Sequence, residues 1–130
     1  MNTPALRRIL FVEDDPDIQV IATMALEAVG GFSVLACGSG PEAVERLPGF
    51  SPDLVLLDVM MPGMDGPQIL QALRRLPEAA ATPVVFMTAR VQANEVARYR
   101  EMGAVDVIPK PFDPMKISDT IHSIWRSLHP

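Results

Sequence analysis

A single cysteine, Cys37, stands in 130 residues, so no disulfide can form within the chain. The apolar neighbours of Cys37 place it in a core strand. Positive charge is also short: 11 Lys and Arg face 16 Asp and Glu, a net charge of −5. That balance argues against binding nucleic acid or anionic lipid through bulk electrostatics, so any DNA-binding output would have to come from another chain. No apolar run approaches the ~20 residues of a membrane span, and no charged leader precedes a long hydrophobic segment. The expectation is a soluble, cytoplasmic protein without membrane contact. Repeats, linkers and low-complexity stretches are missing too, and the length suits one domain, so residues 1–130 read as a single unit.

What is present centres on Asp53-Leu-Val-Leu-Leu-Asp58-Val-Met-Met-Pro-Gly-Met-Asp-Gly66. The apolar run Leu54 to Leu57 is too short for a stable helix and is bounded by Pro52 and Pro62-Gly63, so it reads as a strand buried on both faces. Such strands belong to parallel sheets, whose ligand crevice lies outside the carboxyl ends of the strands, where Asp58 would sit. Ile9 to Val12 repeats the pattern and stops at Glu13-Asp14-Asp15-Pro16. If the two strands are parallel neighbours, Glu13, Asp14 and Asp58 share one edge of the sheet. Asp15 or Asp17 beside Pro16 also suits a helix start, because Asp accepts from free helix N–H groups and Pro fits the first turn.

The remaining chain alternates in the same way. Ile18 to Val29 has an apolar stripe at helical spacing (Ile18, Ile21, Ala22, Ala25, Leu26, Val29) and ends at Gly30-Gly31. Val20 and Met24 lie off that stripe, as extra core or as an exposed patch for a partner. A strand over Phe32 to Ala36 is followed by a helix over Glu42 to Leu47, which Pro48-Gly49 closes. After the central stretch come a helix over Gln68 to Leu76, a loop from Pro77 to Pro83, and a strand over Val84 to Met87 that ends at Thr88-Ala89-Arg90. A helix over Gln92 to Met102 leads to a strand over Val105 to Ile108, ending at Pro109-Lys110-Pro111-Phe112. The last helix is read with Asp113 as cap, Pro114 at its first position, an apolar stripe through Ile117, Ile121, Ile124 and Leu128, and Trp125 beside that stripe. Five strands alternating with five helices predict an α/β fold with a doubly wound parallel sheet.

In that fold four strand ends converge, bearing the acids after the first strand, Asp58 after the third, Thr88 after the fourth and Lys110 after the fifth. Carboxylates crowded together repel, each pair by ~1–4 kcal/mol at ~4 Å depending on dielectric. A hard divalent cation would neutralise them, and Mg²⁺ prefers one or two carboxylates, waters and phosphate oxygens. Lys110 can pair with an acid in the empty site and with a phosphoryl group in the filled one. A carboxylate held against Mg²⁺ can attack phosphorus and become an aspartyl phosphate. The cation, Lys110 and the Thr88 hydroxyl would stabilise charge on the transferring oxygens.

Four motifs in order and spacing carry a resemblance: Ile9-Leu-Phe-Val-Glu-Asp-Asp-Pro16, Leu56-Leu-Asp-Val-Met-Met-Pro-Gly-Met-Asp-Gly66, Met87-Thr-Ala89 and Lys110-Pro-Phe112. Over essentially its full length the chain resembles the response-regulator receiver domains of two-component signalling. The resemblance implies a flavodoxin-like sheet in the order 2-1-3-4-5. It implies that Asp58 is the phosphoacceptor, supplied by a phosphohistidine on a sensor histidine kinase or histidine phosphotransfer protein. It further implies Mg²⁺ bound by Asp14 and Asp58 directly, by the backbone carbonyl of Met60 and by Glu13 through water. Thr88 and Lys110 would contact the phosphoryl group and couple its arrival to movement of the fourth-helix face, with a cis peptide before Pro111. Such a domain is no enzyme in the ordinary sense, since it catalyses only its own phosphorylation and dephosphorylation. It passes its signal to a downstream protein, to a second copy of itself or along a phosphorelay.

Departures from the family pattern matter equally. Receivers commonly carry Tyr or Phe three residues before the lysine, and Val107 stands there. Either the output surface rearranges by another route, or it changes little and the protein passes phosphate along. Tyr99 and Trp125 are candidates to substitute for that ring, though they read rather as ordinary packing or surface residues. Pro109 leaves the end of the fifth strand short of a ladder donor. An aspartate-nucleophile phosphatase would want another acid two residues after Asp58, where Met60 stands, and a flavodoxin-type cofactor binder would not place Glu13-Asp14-Asp15 against a phosphate. The remaining alternative is a phosphorylation-independent, receiver-like interaction module. His122 and His129, on or beyond the polar face of the last helix, are read without metal or catalytic roles. Val20 and Met24 are the expected kinase-docking patch, and the chain reads equally as a stand-alone regulator or as a receiver cut from a longer protein.

Overall fold

The structure, a computed structural model, describes residues 4–130; residues 1–3 of the single-domain reading lie outside the described residues. Five strands, β1 (Arg8–Val12), β2 (Ser33–Cys37), β3 (Leu54–Asp58), β4 (Val84–Thr88) and β5 (Asp106–Pro109), form one sheet in the order β2-β1-β3-β4-β5. Every neighbouring pair is parallel. The helices are α1 (Pro16–Met24), α2 (Gly40–Phe50), α3 (Gly66–Arg74), α4 (Ala93–Met102) and α5 (Ile117–Leu128). The expected doubly wound α/β architecture and strand order are those observed.

Alternation along the central strands divides the core. Ile9, Phe11, Leu54, Leu56, Val85 and Met87 pack with α1 and α5, whereas Leu10, Val12, Val55, Leu57, Val84 and Phe86 pack with α2, α3 and α4. A sheet covered on both faces tolerates no polar side chain along its middle. Its first polar functional groups therefore appear where the strands end. Cys37 closes β2 and is fully buried.

Element ends differ from the periodicity reading for local reasons. The first helix is α-helical only to Met24, and Ala25–Val29 forms a π-helical segment. The wider turn breaks the 3.6-residue phase, so Val29 falls off the stripe and is exposed, while Ala22, Ala25 and Leu26 stay buried. Ile21 is also exposed, on the flank facing the loop after Lys110. α2 starts at Gly40, where the Ser39 hydroxyl accepts the Glu42 N–H, and runs through Pro48 and Gly49 to a left-handed Ser51 (φ 52°). Pro48 stands in the last turn, where its missing donor is outweighed by burial of Ala43 and Leu47.

α3 begins two residues earlier than expected because Asp65 and Gln68 form a capping box, and Pro77–Ala79 adds a 3₁₀ turn to the following loop. α4 begins at Ala93, with Gln92 as its cap position. Strands β2 and β5 each lie one residue further along than the sequence reading placed them. α5 begins at Ile117 rather than at Pro114. Asp113 still caps, but it caps a separate turn: its carboxylate accepts the Met115 N–H and its carbonyl accepts those of Lys116 and Ile117.

Candidate phosphoryl site

Parallel pairing alone brings the acids together. Val12 pairs with Leu57 across β1 and β3, so Glu13 and Asp58 leave the sheet side by side, and Asp58 pairs with Met87 of β4. Thr88 pairs with Pro109 in β5, and the Lys110 N–H donates to the Thr88 carbonyl at 2.9 Å. Pro109 thus ends an edge strand, where a missing donor does least harm. The peptide between Lys110 and Pro111 is cis, as the resemblance implied.

The Lys110 ammonium lies 2.9 Å from Glu13 Oε1 and 3.3 Å from Asp58 Oδ2. Both acids are almost wholly buried, Glu13 at 1% exposure and Asp58 at 3%, whereas Asp14 is exposed. One carboxylate oxygen from each of Glu13, Asp14 and Asp58 falls within 4.8 Å of the others. Asp58 Oδ1 accepts the Met60 N–H at 3.1 Å, and Glu13 Oε2 accepts the Asp15 N–H at 3.2 Å. The loop after Asp58 is held close by Gly66, whose N–H donates to the Val59 carbonyl. A side chain at Gly66 would come 2.9 Å from the Val59 Cα, so this position has no room for one.

The electrostatics follow the crowding. Burial pushes the Glu13 carboxyl above its ordinary pKa, against the opposing pull of Lys110, and the nearby Asp58 adds to the rise. Asp14 is raised by desolvation and by the neighbouring Glu13. Desolvation would lower the Lys110 ammonium, yet its hydrogen bond to Glu13 and the charge of Asp58 outweigh that and hold it above its ordinary value. A site with three hard carboxylates and a single ammonium suits a hard cation better than a soft one, and the donor set fits Mg²⁺.

Thr88 is buried at the β4 end, and its Oγ1 accepts the Arg90 N–H at 3.0 Å, leaving the hydroxyl proton free to donate. The Met60 side chain points to solvent at 68% exposure. Val107 packs half-buried against the α2–α4 side of the core. Tyr99 and Trp125 are both buried: the Tyr99 ring meets Phe86 edge-on at 5.4 Å, and the Trp125 indole N–H donates to the Pro4 carbonyl at 2.7 Å. The His122 ring packs at a tilt against Phe32 and the His129 ring against Trp125, and neither joins the acid group. Val20 and Met24 stand 58% and 63% exposed on α1, which resolves their two readings in favour of surface.

Two features escaped the sequence reading. The Gln19 side-chain amide donates to the Glu13 carbonyl, a contact six residues apart that no helical or strand period would reveal. A groove of about 410 Å³ lies beside Lys110, walled by Ile18, Ile21, Ala89, Pro111, Phe112 and Pro114. Its walls come from three separate stretches of chain.

Comparison with known proteins points the same way. The response regulator receiver domain profile matches residues 9–122. The transcriptional regulatory protein CseB of Streptomyces coelicolor is 37% identical over 118 residues, covering 91% of this chain and 49% of its own length. The phosphate regulon transcriptional regulatory protein PhoB of Escherichia coli is 38% identical over 124 residues, covering 95% of this chain and 54% of its own. The chain thus spans about half the length of the curated relatives it matches. Among solved structures, chemotaxis protein CheY4 of Vibrio cholerae superposes with a TM-score of 0.84 at 25% identity, over 92% of this chain and 99% of its own. A response regulator from Desulfuromonas acetoxidans does so with a TM-score of 0.81 at 30% identity, over 94% and 98%. With the acids, threonine and lysine gathered at one sheet edge, these matches establish that the chain belongs to the response regulator receiver domain family of two-component signalling.

Proposed function

We propose that Asp58 is the phosphoacceptor of this receiver, taking its phosphoryl group from a phosphohistidine on a sensor histidine kinase or histidine phosphotransfer protein. The observation that carries the reading is the near-burial of Asp58 against a single ammonium within reach of two further carboxylates. In the transfer, an Asp58 oxygen forms a bond to phosphorus, the P–N bond breaks, and its electron pair returns to the imidazole of the donor. Lys110 exchanges its contact with Asp58 for one with the incoming phosphoryl oxygens, and the Thr88 hydroxyl donates a second hydrogen bond. Asp14, Asp58 and the Met60 carbonyl are the direct ligands we assign to Mg²⁺, with Glu13 acting through water. When bound there, Mg²⁺ supplies positive charge that offsets the carboxylates and the charge developing on the transferring oxygens.

The domain's only chemistry in this reading is its own phosphorylation and dephosphorylation, and residues 1–130 act as one receiver unit. A cytoplasmic place of action accords with the family. The chain's net charge of −5 opposes direct contact with nucleic acid; its output passes to a downstream protein, a relay partner or a second copy. A phosphorylation-independent role is not favoured, because every group the transfer needs is present and within reach. Val20 and Met24, exposed on α1, form the kinase-docking patch.

Intact mass after incubation with acetyl phosphate tests the acceptor. A gain of one phosphoryl group that needs Mg²⁺ and is lost in Asp58→Asn is expected, and no gain in any condition would overturn the assignment. Replacing Val20 and Met24 together by Asp should slow transfer from a kinase and spare acetyl phosphate; equal slowing of both reactions would refute the patch.

A further inference from the structure

The paired ladder between β1 and β2 ends at Val12 and Cys37, and the Glu13 N–H makes one more bond, to the Cys37 carbonyl. Beyond this point the ladder stops: its next bond would take the Ser39 N–H to the Glu13 carbonyl, but Ser39 has turned away to cap α2, where its hydroxyl accepts the Glu42 N–H. A backbone carbonyl in a part-buried position needs a donor, and Gln19 on α1 supplies it through its side-chain amide. Gly38 lies beside that amide, a Cβ there standing at ordinary contact distance, 3.5 Å, from the Gln19 nitrogen.

The carbonyl that Gln19 holds belongs to the peptide unit joining Glu13 to Asp14. Its orientation sets the direction in which the exposed Asp14 leaves the buried Glu13. The other restraints on this turn act elsewhere: Lys110 and the Asp15 N–H hold the Glu13 carboxylate, and the Asp15 carbonyl accepts the Gln19 N–H. We infer that Gln19 is a positioning residue for the cation site, fixing the Glu13–Asp14 peptide so that Asp14 meets the ion directly while Glu13 meets it through water. This rests on the metal reading given under the proposed function. Gln19 itself touches neither the ion nor the phosphoryl group.

The test is Mg²⁺ binding by isothermal titration calorimetry on the full chain, comparing the native protein with Gln19→Met, which keeps length and helix propensity but loses the donor, and with Gln19→Ala. Thermal melting is followed in parallel, and phosphorylation by acetyl phosphate is measured at saturating Mg²⁺. Removing support from behind metal ligands commonly weakens binding ~10–100-fold. An indirect hold through one peptide should weaken it about 3- to 10-fold by the same logic. Phosphorylation at saturating Mg²⁺ should return to the native level, because the chemistry is untouched. Equal Mg²⁺ affinity in the native protein and Gln19→Met would overturn the inference and leave the metal reading standing. No saturable binding by the native protein would overturn both. A residue that merely stabilised the fold would lower the melting temperature and leave the affinity of the folded protein unchanged, which also counts against the inference.

Discussion

α4 and α5 flank the same edge strand, yet they are attached to the sheet very differently. α5 buries Ile117, Ser118, Ile121, Ile124 and Trp125, and its indole ties the helix to the Pro4 carbonyl near the start of the described chain. α4, of similar length, buries only Tyr99. Its other residues are polar or small apart from Val96 and Met102, and its ring contact with Phe86 is the main aromatic link to β4. Helical stability in proteins comes chiefly from the packed face, so α4 belongs to the part of the molecule that opens at low cost. Phe86 stands two residues before Thr88 in the same strand. α4 is thus joined by its one buried ring to the strand that ends at the phosphoryl site, and by the Arg100–Asp106 ion pair at 3.1 Å to β5.

The comparison breaks if the two helices respond alike to loss of their anchors. Ile121→Ala should show the largest effect, lowering global stability by about 2–5 kcal/mol, as removal of a fully buried aliphatic side chain usually does; urea denaturation followed by circular dichroism measures it. Tyr99→Ala should remove less, about 1–3 kcal/mol, because α4 can detach without unfolding the sheet. Hydrogen exchange should then quicken in α4 and leave α5 protected. Matching acceleration in both helices would show that α4 is no separate unit.

Trp125→Phe keeps the aromatic bulk but loses the bond to the Pro4 carbonyl, and the same denaturation assay should register about 1 kcal/mol. The smallest expected change concerns Cys37, which shares its core with Tyr99. Burial pushes its thiol up to about 11 from an ordinary 9.0. A thiol reagent at pH 8 should therefore modify the unfolded chain and spare the folded one. The sign of the linkage follows: below pH 9 both states hold the proton, and the contribution to stability is lost as pH rises from 9 through about 11. Ready labelling of the native protein at pH 8 would mean that the α4 side of the core opens more widely than one detached helix.

Much of this was readable in residue order. Short apolar runs ending in Glu13, Asp58 and Thr88 placed the strands and the edge they share, and the break at Gly30-Gly31 located a helix end. Pro48-Gly49 misled, because a breaker in a final turn interrupts little when Leu47 is buried beneath it. Asp113-Pro114 misled in the other direction, marking a turn that precedes the helix. The π segment at Ala25–Val29 left no mark in the apolar pattern. Nor did the pattern show that the exposed Ile21 would line one groove with Pro111, Phe112 and Pro114, far along the chain.

The sequence by itself determined the fold class, the identity of the acids, threonine and lysine, and the edge on which they would gather, because burial of alternating short strands permits few other arrangements. Only the tertiary structure decided which acid pairs with Lys110, that Gln19 holds the turn between Glu13 and Asp14, and that α4 buries a single ring. Those are contacts between side chains distant in sequence or off any regular period, and they come into being only when the sheet and its helices have packed.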